Sequence, residues 1–109
     1  MEDMIKMIDY MVELCGIDHV CIGMDYFIGQ AGIMPDDQAN QVYDYFVSSG
    51  EWQPPTYPSP PWWFPEGIET PDKFANLTGA LMARGYSVKD IAKIWGGNWI
   101  RVMEEIWGA

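Results

Sequence analysis

A chain of 109 residues has the size of one small domain, able to bury roughly two-thirds of the surface its unfolded form exposes, which excludes a large multi-domain organisation within it. Sixteen acidic against six basic residues, a net charge of −10, argue against phosphate backbones and anionic membrane surfaces as partners, so nucleic-acid and membrane binding are not expected. The acids are scattered and 49% of the residues are hydrophobic, as in a folded protein rather than a disordered one.

From the amino end, Ile5, Ile8, Val12 and Cys15 recur at three- and four-residue intervals, with Glu2, Asp3, Lys6, Asp9 and Glu13 mostly on the other side. This predicts an amphipathic helix closed by Gly16. No basic segment runs into an apolar core here, and no stretch approaches the length of a membrane span, so a soluble, cytoplasmic protein is expected. His19 to Met24 is short, apolar and partly β-branched without polar alternation, the pattern of a strand covered on both faces. Cys15 and Cys21, the only cysteines, read as small buried thiols rather than a disulfide or metal pair.

The apolar run stops at Asp25 and passes at once into "YFIGQ". From the residues alone Asp25 reads first as a strand-ending turn former and second as a group that works on a substrate. Pro35-Asp36-Asp37 opens a short helix through Tyr43 and Phe46, ended by Gly50. Then "WQPPTYPSPPWWFPEG" brings six prolines and five aromatics together, which excludes helix and central strand and predicts an ordered loop. Long loops of this kind tend to be functional. Tyr57, Trp62 and Trp63 could wall a pocket or simply pack, and Pro58-Ser59-Pro60-Pro61 is a weak proline-ligand pattern.

The last third is regular. Thr70-Pro71-Asp72 predicts an N-cap with proline at the first helical position, and Phe74, Leu77 and Leu81 form the stripe of a helix ended by Gly85. Ser87 with Asp90 approximates a capping box ahead of Ile91 and Ile94. Gly96-Gly97 interrupts, Asn98 reads as an N-cap, and Trp99 to Trp107 reads as a final helix with Val102 and Ile106 on one face. Arg101 reads as a surface or ion-pair residue, and Asp36-Asp37 and Glu104-Glu105 as solvated helix acids. One strand lacks a partner for its backbone groups, so the chain is not expected to stand alone.

Two blocks carry a resemblance. "GIDHVCIGMDYF", residues 16–27, is similar to the stretch that ends the eighth barrel strand of the membrane (renal) dipeptidases, the M19 metallopeptidases. "PEGIETPDKFANLTGALMARGYSVKDIAKIWGGNWIRVMEEI", residues 65–106, is similar to that family's closing helices, with its Arg-Gly-Tyr turn and Gly-Gly-Asn signature, in the same order. The resemblance implies an α/β fold: the carboxy-terminal portion of a (β/α)8 TIM-barrel metallohydrolase, mostly helical with one buried strand, in which chemistry sits on loops at the carboxy end of the strands. Residues 1–25 would be a helix plus the last barrel strand, 26–69 a long loop with a short helix, and 70–109 the closing helices.

The same resemblance implies a zinc-dependent hydrolase of dipeptides or related small amides with a two-zinc centre, and it places Asp25 where the family carries a catalytic acid. Tyr26, Phe27, Tyr57, Trp62 and Trp63 would then contact substrate. The family's five metal ligands lie in segments that this chain does not match, and His19 aligns with a non-ligand, so no metal ligand is assigned here and no metal is expected to bind this chain by itself. Where the family has Ser-Asp-Phe-Asp-Gly, the chain has Met24-Asp25-Tyr26-Phe27-Ile28-Gly29, which makes the site more apolar. The expected partner is the remainder of the barrel. The alternative is self-association of a catalytically inactive, split-off segment acting as a binding module.

Overall fold

The computed structural model describes residues 1–28, 30 and 32–108. The chain divides into two compact units, one built from Met1–Met24 and the chain from Pro65 onward, the other from Asp25–Phe64. Helices account for all the regular structure of the first unit among the described residues: α1 (Glu2–Cys15), α3 (Asn76–Arg84), α4 (Val88–Ala92) and α5 (Asn98–Trp107). The second unit contains α2 (Asp36–Ser48).

In the first unit Ile5 and Ile8 of α1 meet Ile68, Leu77 and Leu81 around α3 and Ile91 and Ile94 of the α4 region in one apolar cluster. Two helix C-termini, at Gly16 and Gly85, fall where the sequence places them. The N–H of Gly16, at φ 82°, bonds to Val12, and Gly85, at φ 108°, bonds back to Met82. Ser87 Oγ accepts from the Asp90 N–H at 3.1 Å, the first half of a capping box, while the Asp90 carboxylate takes the Ser87 hydroxyl at 2.6 Å. Thr70 differs from expectation: its side chain makes no cap bond, Pro71–Lys73 form a single 3-10 turn, and the helix proper starts at Asn76.

The Arg-Gly-Tyr turn has a mechanical role. Arg84 donates to Asp9 Oδ2 at 2.8 Å and Tyr86 donates to Asp9 Oδ1 at 2.9 Å, so the sharp reversal at Gly85 brings both side chains onto one carboxylate of α1. Burial, and then Asp9, push the Tyr86 phenol up to about 12. A second carboxylate, Glu69, accepts from the Gly67 N–H at 2.9 Å and from Lys73 at 3.2 Å. These N–H donors, Gly67's first and Glu69's own next, hold its carboxyl down to about 2 from an ordinary 4.5.

A carboxyl depressed in the folded state stabilises the fold above its unfolded value, and that contribution is lost as pH falls toward the folded one. The denaturation midpoint of the protein is therefore expected to drop relative to that of Glu69→Gln between pH 4.5 and pH 2, as followed by urea unfolding at a series of pH values.

The predicted strand is absent among the described residues. Ile17–His19 form a 3-10 turn, Val20 is extended (φ −108°, ψ 125°), and no regular element follows before α2. A strand exists through its ladder, and no second strand lies beside residues 19–24 among those described. Burial is one-sided as well: Val20 is buried and Ile22 and Met24 pack on the core, while His19 and Gly23 are exposed. The cysteines also depart from expectation, because Cys15 is exposed and Cys21 only half-buried; both are free thiols.

What holds the segment in place is the corner between α4 and α5. The Ile22 N–H bonds to the Ile94 carbonyl at 3.1 Å, and Asn98 Nδ2 donates to the carbonyls of Ile17 (2.8 Å) and Val20 (3.0 Å). Lys93 pairs with the Asp18 carboxylate, holding it below the usual carboxylate range, and Arg101 donates to the Asp18 carbonyl at 2.8 Å. Asn98 is thus a buried bracket rather than the helix cap its residue type predicts; it lies inside α5 with helical dihedrals. Asn98→Ala would leave two carbonyls without their donor and is expected to cost about 2 kcal/mol, read as a lower urea midpoint at unchanged slope.

Two apolar stripes remain open. On α1, Met7, Tyr10, Met11 and Leu14 are exposed at helical spacing opposite Ile5 and Ile8. On α5, Trp99, Ile100, Met103, Ile106 and Trp107 are exposed, so Ile106 does not join the core with half-buried Val102.

Candidate functional site

The second unit is organised by aromatic rings. Tyr43 and Phe46 lie on neighbouring turns of α2, and Gly50, at φ 80°, reverses the chain so that Trp52 returns along the helix. Both the Glu51 and Trp52 N–H groups bond to the Phe46 carbonyl. Trp52 is then sandwiched, with Phe46 on one side (centroids 4.7 Å, 22° between planes) and Tyr57 on the other (5.1 Å, 11°). Trp62 stands edge-on to Trp52 at 5.9 Å and packs on Phe27 at 5.5 Å.

Polar tips find backbone partners: the Trp62 indole N–H donates to the Pro58 carbonyl at 2.9 Å, and the Tyr43 hydroxyl to the Tyr57 carbonyl at 3.1 Å. The prolines help by removing N–H donors that the loop could not satisfy and by narrowing its conformational choice. The result is an ordered loop, as its composition predicts.

This stack walls a cavity of about 740 Å³. Of the residues singled out from sequence, Asp25, Phe27, Tyr57, Trp62 and Trp63 all line it, although they are far apart in the chain. Tyr26 does not; it stacks at 4.9 Å on Phe64, which does. Apart from Asp25 the lining is apolar or aromatic, with Ser59 the one other small polar side chain. Gly29, the glycine of the compared motif, lies outside the described residues.

Asp25 has φ +50°, the one non-glycine residue among those described with a positive φ. Aspartate is among the few residues that adopt this left-handed conformation at modest cost. Its carboxylate is exposed, with no hydrogen-bond or ion-pair partner among the described residues. Asp25 thus makes the turn that ends the extended segment, and its open carboxylate lies at an apolar cavity.

Sequence reasoning passed over Trp52, Phe46 and Phe64 as site residues. The signal available was the three-residue spacing of Tyr43 and Phe46 just ahead of an aromatic-rich loop. Pro58, Ser59 and Pro61 are exposed, and all three line the cavity.

Residues 61–108 match the sequence model of the membrane dipeptidase family, peptidase family M19. The match spans the Arg-Gly-Tyr turn and the Gly-Gly-Asn corner; residues 16–27 lie outside it. No curated protein and no solved structure matches the chain. Among the described residues no group of three or more His, Cys, Asp or Glu side chains could hold a metal ion, so their donor set does not fit the zinc centre that the resemblance implies. Among the same residues no helix is long and apolar enough to cross a membrane.

Proposed function

We propose that this chain is the closing part of a dipeptidase-like hydrolase, with Asp25 as its catalytic contribution and residues 26–69 as a pocket wall. The observation that carries the reading is the family match over residues 61–108, which contain the helices that close the resembled barrel. Asp25 lies beyond that match, in the block whose resemblance is to the end of the eighth strand. Its role is to take a proton and return it to the amine that leaves when the peptide bond breaks. The metal ligands belong to the remainder of the barrel.

The open stripes on α1 and α5 support a covering partner, because apolar patches of that extent on a lone protein mark an interface. The remainder of the barrel is the partner proposed; self-association of an inactive binding module is the competing reading. Native mass spectrometry of the protein with whatever co-purifies, paired with a dipeptide hydrolysis assay, separates the two. A larger, hydrolytically active complex carrying about two zinc ions per copy of this chain is expected. A homo-oligomer without hydrolysis would overturn the hydrolase reading in favour of the binding module.

A further inference from the structure

We propose that the hollow of about 420 Å³ between residues 18–23 and the start of α5 binds a flat, uncharged ring with a cyclic amide edge, an N–H beside a C=O. The inference goes beyond the hydrolase reading, since no group assigned to hydrolysis lines this hollow and binding here breaks no bond. Its volume lies in the range of small-molecule sites, roughly 300–1,000 Å³.

The carrying observation is the second half of the Asn98 amide. Asn98 is only 4% exposed, yet it lines the hollow. Its Nδ2 spends both N–H bonds on the carbonyls of Ile17 and Val20. The amide is planar, so Oδ1 faces away from those carbonyls, and it accepts no hydrogen bond among the described residues. Nor is that oxygen sealed in, so it opens onto the hollow that the residue lines. A ligand that displaces water there must bring an N–H or O–H donor, because a buried acceptor left without one is penalised.

The rest of the wall completes the specification. Arg101 stands three residues further along α5, a neighbouring position on the helix surface, and reaches the same segment through the Asp18 carbonyl. Its guanidinium keeps N–H donors beyond the two it spends on that carbonyl and on Glu105. Acceptor and donor side by side match an N–H beside a C=O. Trp99 is 54% exposed and without a ring partner among the described residues, so its face is free to stack a flat ring. The carboxylate and guanidinium of the wall are already matched, Asp18 with Lys93 and Arg101 with Glu105, so neither sign of ligand charge is selected. The other two hollows do not offer this combination: that of about 520 Å³ along α2 has no buried polar side chain in its wall, and that of about 740 Å³ is the candidate site already described.

The test is isothermal titration at pH 7 with three ligands: 2-quinolone; coumarin, which has the same shape with a ring oxygen in place of the N–H; and δ-valerolactam, which has the same edge without an aromatic ring. Trp99 also belongs to the open stripe of α5, so the full chain is titrated by itself. 2-Quinolone is expected to bind about tenfold more tightly than coumarin and about tenfold more tightly than δ-valerolactam. Replacing Asn98 would undo the bracket that holds residues 17–22, so its contact is read from the ligand's side, by the coumarin comparison. Trp99→Ala is expected to reduce the preference over δ-valerolactam to about twofold or less. Trp63→Ala, in the wall of the larger cavity, is expected to leave 2-quinolone binding unchanged.

Equal binding of 2-quinolone and coumarin, no binding of 2-quinolone, full affinity retained in Trp99→Ala, or affinity lost in Trp63→Ala would each overturn the proposal. Hydrolysis and zinc content play no part in this readout, so loss of the hydrolase reading leaves the inference standing, and the reverse also holds.

Discussion

Asp25→Asn in the zinc-loaded assembly that contains this chain is expected to lower dipeptide turnover by about a hundredfold or more while metal content stays unchanged. The carboxamide is nearly isosteric and tolerates the left-handed backbone at φ +50°, so the turn should survive. What it cannot do is accept and return a proton, and removing a positioned acid–base group costs about 10²–10⁴ in rate. Metal content is the internal control, because Asp25 belongs to no metal-holding group among the described residues. Unchanged turnover with full zinc would remove Asp25 from the mechanism and leave it as a turn former.

Leu81→Ala is expected to destabilise the first unit by about 3 kcal/mol, by lost transfer energy plus the cavity left behind. Leu81 is completely buried, as are Leu77, Ile68 and Ile94 around it, so little nearby side chain is free to collapse into the space. A domain of this size has only roughly 5–15 kcal/mol to lose, so the variant should show a clearly lower thermal midpoint. Met82→Ala, one position along the same helix and 54% exposed, is the matched control and should shift the midpoint far less. Equal shifts in the two variants would mean that the apolar cluster is not the source of stability.

The helices were legible because their determinants are local. The spacing of Ile5, Ile8 and Val12, the acids behind Pro35, and glycines at positions 16, 50 and 85 act within one or two turns of where they stand. The extended segment shows the limit of such reading. Val20, Cys21 and Ile22 encode extension and burial, but a strand also needs a neighbour, and its hydrogen bonds here go to Ile94 and Asn98 instead, more than 70 residues away in sequence. Asn98 was misread for the same reason, since helix-cap propensity is a local rule and its amide serves two distant carbonyls. In the proline-rich loop, composition excluded helix and strand, yet the choice of Trp52 as the stacked floor depends on the reversal at Gly50. Asp25 was legible as a residue of interest, while the ring cluster around its cavity was not.

The corner Gly96-Gly97-Asn98 binds three separate demands into one object. Gly96 sits at φ 154°, where side chains are strained; a Cβ on Gly97 would meet the Ala92 carbonyl oxygen at 3.0 Å; and Asn98 must reach Ile17 and Val20 from the turn those glycines create. Damage at either glycine is therefore transmitted to the Asn98 amide, one or two residues further along the chain, so losses at these three positions should overlap instead of summing. Such a corner resists gradual change: once the reach of Asn98 is lost, a further change at the glycines finds less left to break, and repair requires restoring the turn and the amide together.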